Sequence, residues 1–183
     1  MRNRQRRLKP VPTLWLMTDE RVAEDRLLRG AMRLPRGSGI VLRHYRTAAR
    51  ERRALFATLR RIAARRGLVL FLAGSEAEAL AWGADGFHGR GGRARRLPMS
   101  APVHDMRELR AAERAGADVL FVSPLFATRS HPGGRALGAF RFGVLARRAK
   151  GPVMALGGVG LRHARLVRML GAAGFGAIDG LLG

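Results

Sequence analysis

Val153-Met154-Ala155-Leu156-Gly157-Gly158 is a short apolar run that breaks into paired glycines, and a second apolar, glycine-rich run, Gly171 to Leu181, follows it. Between them, Leu161 to Leu170 is amphipathic and long enough for about three helical turns. Strand, glycine turn, helix and strand in that order predict the closing arm of a parallel barrel, whose last two loops commonly hold a phosphate. Glycine matters at such a turn because a residue without Cβ lets backbone N–H groups approach an anion closely. The pattern points to a site for a small phosphate- or pyrophosphate-bearing molecule.

Working outward, the same alternation extends over the chain. The predicted strands are Thr13 to Thr18, Gly39 to Tyr45, Leu68 to Ala73, Asp85 to His88, Leu97 to Val103, Asp118 to Ser123, Pro152 to Leu156 and Phe175 to Ile178. Most are uninterrupted apolar runs, as expected for strands covered on both faces. In the helix predicted over Thr47 to Arg66, Leu55, Leu59 and Ile62 line one face and arginines the other. Asp105 with Glu108 forms a capping box, and Gly116 stops that helix. Strand and helix alternating in this way predict a (β/α)8 TIM barrel over residues 13–183, preceded by a basic N-terminal tail over 1–12. Two departures from the ideal barrel are expected. Gly89 to Arg96 is too short and glycine-rich for a full fourth crossover helix, and the sequence reaches Gly183 without an eighth helix. The groove so left between the first and seventh helices is a candidate homodimer surface. Asp85 and Asp118 precede strands, which puts them at the end of the barrel associated with stability rather than chemistry.

Composition narrows the class. The 183 residues are 47% hydrophobic and 26% charged, ordinary for one folded domain. With 0 cysteines, disulfides, thiolate metal sites and cysteine nucleophiles are excluded. No apolar run approaches the ~20 residues of a membrane span, and Met1 to Arg7 lacks the apolar core of a secretory signal, so a cytoplasmic protein is expected. The net charge of +22 ordinarily suggests nucleic acid. Yet it is almost all arginine, spread over every predicted helix, and no aromatics interleave the basic runs for base stacking.

The ordered motifs resemble the thiamine phosphate synthase and thiazole tautomerase family from Leu14 to Leu181. Those that carry the resemblance are Leu14 to Asp19, Val41-Leu42-Arg43, Gly83 to His88, Val103-His104 before a helix with Glu108, Gly116-Ala117-Asp118, Ser123 to Thr128, Ala155 to Val159 and Gly171 to Leu181. The resemblance implies a barrel transferase that joins an aminopyrimidine methyl pyrophosphate to a thiazole phosphate and releases pyrophosphate. Such a reaction depends on holding a highly charged leaving group while the thiazole nitrogen sits in line to trap a pyrimidine methylene cation.

Carried across residue by residue, the resemblance assigns Arg43 on strand two to substrate and catalysis. Thr128, Ser130 and His131 fall after strand six, with Ser130 and His131 as catalytic and Thr128 and Ser130 as phosphate-binding candidates. Gly157 and Gly158, with Ile178 and Asp179, supply the phosphate-binding backbone. Mg²⁺ is the cofactor the family implies, but its expected carboxylate positions are Ala73-Gly74 after strand three and Gly91 to Arg93 after strand four, so no metal ligand is assigned. A substrate-touching serine of the family falls on Pro102, and the tautomerase histidine on Pro124. Arg43, Arg90, Arg93 and Arg129 are candidates to supply positive charge without a metal. Arg43 has a competing role in pairing with Asp19 or Asp179, and Asp179 would repel a bound anion unless Arg135 or Arg43 neutralises it. His44, His88, His104 and His131 lie at or just past strand ends, with a metal cluster and structural roles as alternatives. Three readings follow: a divergent transferase using arginines, a catalytically silent barrel binding a small phosphorylated ligand, and a basic nucleic-acid-associated protein.

Overall fold

Eight parallel strands close into a barrel in chain order, with β1 pairing both β2 and β8. The computed structural model describes residues 8, 10–90, 96–127 and 135–182, with the side chain of Asp179 outside that set. The strands are β1 (Leu14–Met17), β2 (Gly39–Leu42), β3 (Val69–Ala73), β4 (Gly86–His88), β5 (Met99–Val103), β6 (Val119–Val122), β7 (Val153–Ala155) and β8 (Gly174–Ala177). Each predicted strand is present; the first seven are trimmed by one to three residues because their predicted ends feed loops, and the eighth begins and ends one residue earlier than expected. Around them lie α1 (Glu24–Arg33), α2 (Ala49–Arg66), α3 (Glu76–Trp82), α4 (Met106–Ala115), α5 (Gly138–Arg148) and α6 (Ala164–Met169). No described helix is long and apolar enough to cross a membrane.

Alternation along the strands sorts the apolar side chains into two layers. One alternate set packs against the helices: Leu16, Ile40, Leu42, Leu70, Leu72, Leu120 and Val122 join Leu27, Leu59, Leu109 and Phe142. The other fills the barrel interior, where Trp15, Met17, Val41, Phe71, Phe121 and Met154 form a separate cluster. Trp15 stacks edge-on against Phe71 at 5.2 Å and Phe121 at 5.5 Å between centroids. Small residues opposite make room for these rings. Gly39 lies beside Trp15 in register, and a Cβ there would overlap the indole; Gly86 faces Phe71 in the same way. Leu8 and Val11 pack on the same cluster from the N-terminal end, and the Trp15 indole N–H donates to Pro12 O at 2.8 Å.

The helix signals hold with local differences. α2 starts at Ala49 rather than Thr47, whose hydroxyl donates instead to Glu20 Oε2 at 3.1 Å, and Gly67 closes it in the left-handed region at φ 63°. Leu55 and Leu59 are buried as expected, with Phe56 and Ala63 beside them, while Ile62 is half-buried. Asp105 caps α4 by accepting from Glu108 N at 2.7 Å. Glu108 does not complete the expected box on the cap residue; it reaches one residue further, accepting from His104 N at 2.8 Å. Asp85 and Asp118 accept from Leu70 N at 2.9 Å and Met99 N at 3.0 Å, stapling neighbouring strands near their starts.

Between β4 and β5 the described residues hold no helix, and 91–95 lie outside them. The predicted helix over Leu161 to Leu170 splits into a 3₁₀ turn, Leu161–His163, and the short α6. Leu161 is 65% exposed, because this turn faces the barrel mouth and not the core. After β8 the chain makes a 3₁₀ turn at Asp179–Leu181, and Leu182 buries itself against α1 at Gly30, where a Cβ would overlap it. The groove expected beside α1 is thus partly filled by Leu182.

Candidate functional site

The strands deliver their inward-facing last residues to one rim. Following the alternation Gly39, Val41, Arg43 on β2, Phe121, Ser123 on β6 and Met154, Leu156 on β7, the side chains of Arg43, Ser123 and Leu156 reach the mouth of a cavity of about 790 Å³. Arg43, Gly157, Gly158 and Ile178, assigned from different parts of the sequence, all line it, together with His104, Arg135, Arg162, Gly160 and Gly180. Thr128, Arg129, Ser130 and His131 lie outside the described residues, as do Arg93 and the Asp179 side chain. Among the described side chains no carboxylate lines the cavity, and its cations are arginines.

Gly157 and Gly158 adopt φ values of 86° and 66°, a region L side chains rarely enter. Close approach adds a second constraint, since a Cβ on Gly157 would lie 2.6 Å from Pro124 Cβ and one on Gly158 2.8 Å from Ala127 O. The loop is locked by Leu125 N donating to Leu156 O at 2.7 Å and Phe126 N to Gly157 O at 3.1 Å. The N–H groups of Gly157 and Gly158 find no acceptor among the described residues, leaving them free for an anion in the cavity.

Arg43 is anchored rather than consumed. Its Nε donates to Thr18 O at 2.8 Å, and Nη2 stands 3.6 Å from Asp19 Oδ2. Asp19 is satisfied by Arg21, which meets it at 2.8 Å through Nε and 2.7 Å through Nη2. Those bonds hold the Asp19 carboxyl down to about 2, with a smaller contribution from Arg43. Burial pushes the Arg43 guanidinium down from its ordinary value and the Asp19 charge opposes that, so it stays a cation. Of the two roles expected for Arg43, pairing with Asp19 is therefore a loose contact, and its Nη donors remain for the cavity.

Elsewhere on the rim, Arg52 Nη1 donates to Glu78 Oε1 at 2.9 Å and Nη2 to Ala73 O. Glu20 accepts from Arg46 N at 3.0 Å and Thr47 Oγ1 at 3.1 Å. His88 is sealed in the barrel interior, its Nδ1 3.0 Å from Ser100 Oγ, and burial drives its pKa down to about 3. It is a neutral packing group against Phe121, centroids 5.6 Å apart. His44 sits in a buried, positive-φ turn at 22° and bonds Thr47 Oγ1 through Nδ1 at 3.3 Å. The described residues contain no group of three or more histidines and carboxylates placed to hold a metal ion.

The sequence pattern described as Thiamine monophosphate synthase matches residues 14–181. The chain belongs to the thiamine monophosphate synthase family. A thiamine-phosphate synthase of Syntrophomonas wolfei is 28% identical over 185 aligned positions, covering 93% of this chain and 88% of that one. One of Anaeromyxobacter dehalogenans is 35% identical over 145, covering 70% and 64%. Among solved structures, thiamine phosphate pyrophosphorylase from Pyrococcus furiosus superposes with a TM-score of 0.76 at 24% identity, covering 93% and 87%, and supports the same fold.

Against the Mg²⁺ that the synthase resemblance implies, the donors among the described residues do not fit. Where the resemblance implies an Asn-Asp pair after β3, Gly74 lies at φ 143° and the Arg52 guanidinium bonds Ala73 O, with Glu78 as its counter-charge. Asp19, Glu20, Glu78 and Glu108 are each held by arginines or backbone donors. A hard cation would have to strip a carboxylate from such a partner. Sequence reasoning missed three rim residues of this synthase-family barrel: Ser123, Arg162 and the working position of His104. The signal was available for two of them, since Ser100, Pro102 and His104 continue the inward alternation of β5 as Ser123 does that of β6.

Proposed function

We propose that the protein is a thiamine phosphate synthase-type transferase that works with arginine cations in place of a protein-held Mg²⁺. In this reading the cavity takes an aminopyrimidine methyl pyrophosphate and a thiazole phosphate. The ring nitrogen of the thiazole attacks the methylene carbon, the C–O bond to pyrophosphate breaks, and pyrophosphate leaves. The observation that carries it is the convergence of Arg43 and the Gly157–Gly158 N–H groups on one cavity that no described carboxylate lines. The glycine amides suit the phosphate that stays with the product. Arg43, held by Thr18 and Asp19, suits the charge that builds on the leaving group. Arg135 and Arg162 add positive field; Thr128 and Ser130 are proposed as further phosphate contacts, and Ser130 and His131 as catalytic residues.

Both precursors supplied with and without a chelator test this directly: joined product should form at a comparable rate in each. Absence of product together with calorimetric binding of thiazole phosphate would instead favour a catalytically silent phosphate-binding barrel. Affinity for a nucleic-acid oligomer that falls steeply with salt would favour the basic-protein reading. A homodimer is proposed to cover the exposed Met32 and Met169 on α1 and α6; a monomeric mass by light scattering would remove it.

A further inference from the structure

A hydrogen-bonded chain of side chains on the cavity rim has no role in the transfer proposed above. Ser123 Oγ lies 3.3 Å from His104 Nε2, and His104 Nδ1 lies 2.7 Å from Glu108 Oε2. Ser123 and His104 both line the cavity. The chain is built from three rigid places: the ends of β5 and β6 and the first turn of α4. Glu108 is fixed by its own backbone bond to Asp105 at 2.7 Å, by accepting from His104 N at 2.8 Å and by pairing with Arg90.

The polarity of the chain follows from the charges. Arg90 on Oε1 keeps Glu108 ionised, and an acceptor-only carboxylate at 2.7 Å requires the proton on Nδ1. Arg90 Nη2 also approaches Nδ1, at 3.1 Å, but the nearer and oppositely charged carboxylate decides the tautomer. The lone pair of Nε2 then faces the Ser123 hydroxyl. Hydroxyl, imidazole and orienting carboxylate in this order form the arrangement that activates a serine.

What such a serine would attack is set by the rest of the cavity. Arg43, Arg135 and Arg162, with the free glycine amides, favour an anionic electrophile over a neutral ester. Ser123 also follows Val122, which pairs with Ala155, so the hydroxyl stands beside Leu156 and one residue from the Gly157 amide. We propose that Ser123 is a nucleophile, with His104 as its base and Glu108 as a positioning residue, that takes a phosphoryl group from a phosphoric anhydride held in this cavity, inorganic pyrophosphate being the substrate tested. Ser123 Oγ bonds to phosphorus as the bridging P–O bond breaks, and the hydroxyl proton passes to Nε2 and on to the departing phosphate. Water then attacks phosphorus, Nε2 takes its proton and returns it to Ser123 Oγ as the P–Oγ bond breaks, so that pyrophosphate and water become two phosphates and the serine is restored. The choice of pyrophosphate rests on the transfer reaction that releases it here; the nucleophile itself does not.

The test treats the full-length protein with pyrophosphate and, separately, with a fluorophosphonate probe, quenches in acid and maps serine adducts by mass spectrometry. Expected are phosphoserine at Ser123, phosphate release and probe labelling at the same residue, all absent in Ser123→Ala. Phosphate release should fall roughly a hundredfold in His104→Gln, with probe labelling of Ser123 slowed in step. Glu108→Gln should lower kcat with little change in KM. A folded protein, by circular dichroism, in which neither reagent marks Ser123 overturns the proposal. Faster acylation by p-nitrophenyl acetate than phosphorylation by pyrophosphate overturns the phosphoryl assignment. Joined thiamine product is read separately, so failure of the transfer reading leaves the serine adduct to stand or fall alone.

Discussion

The two sides of the barrel mouth use the same residue types to opposite ends. Over β1 to β4, arginines are spent on partners: Arg52 on Glu78 and Ala73 O, Arg21 on Asp19. Over β5 to β8, the rim is an open cavity with glycine amides, Ser123 and His104, faced by Arg43, Arg135 and Arg162 without a described carboxylate among them. High arginine content alone therefore says little about anion binding. What matters is whether a carboxylate lies within reach of each guanidinium, because a paired cation offers an incoming phosphate a much smaller field. Arg43 stands at the boundary, tethered by Thr18 but only 3.6 Å from an Asp19 that Arg21 already satisfies.

Changes on the open side should cost most. Arg43→Gln removes the anchored cation, and a loss of roughly 3 kcal/mol of transition-state stabilisation is expected, read as a fall in kcat/KM with melting temperature nearly unchanged. A wild-type rate would place Arg43 with the spent arginines. Gly157→Ala forces a Cβ into a positive-φ turn against Pro124, and about 2 kcal/mol of stability should go together with the proposed phosphate binding; chemical denaturation and phosphate titration report the two losses.

Beneath both sides lies His88, whose folded-state pKa of about 3 sits below its ordinary 6.5. The unfolded chain binds a proton there that the folded one refuses, so stability from this site is full above the ordinary value and declines as pH falls toward 3. The decline approaches about 1.4 kcal/mol per pH unit within that window. His88→Gln should flatten that limb in denaturation curves at pH 7 and 4.5; an unchanged limb would assign the acid sensitivity elsewhere. Least is expected on the filled side. Glu78→Gln weakens a partly exposed pair and should cost about 1 kcal/mol, leaving transfer activity intact. If activity fell instead, the division between the two sides would be wrong.

Much of this was legible in the residues. Uninterrupted apolar runs, the helix stop at Gly116 and the cap at Asp105 are local signals, and each produced an element close to where it is expected. The paired glycines and Arg43 were legible as residues of one rim because strand ends in a barrel converge there. The Ser123 and His104 contact was not, although both positions face inward by alternation, because the distance between neighbouring strand ends depends on register. Nor was the split of Leu161 to Leu170, whose apolar spacing suits a helix while its first turn serves the mouth.

By itself the sequence determined which segments become strands, how they alternate with helices, and which residues face inward, since backbone sterics and hydrophobic periodicity act over a few neighbours. Only the tertiary structure decided which charges cancel. Glu78 neutralises Arg52 from 26 positions away, and Ser123 reaches His104 across 19. Such pairings depend on barrel closure and strand register, and so does the field a phosphate would meet.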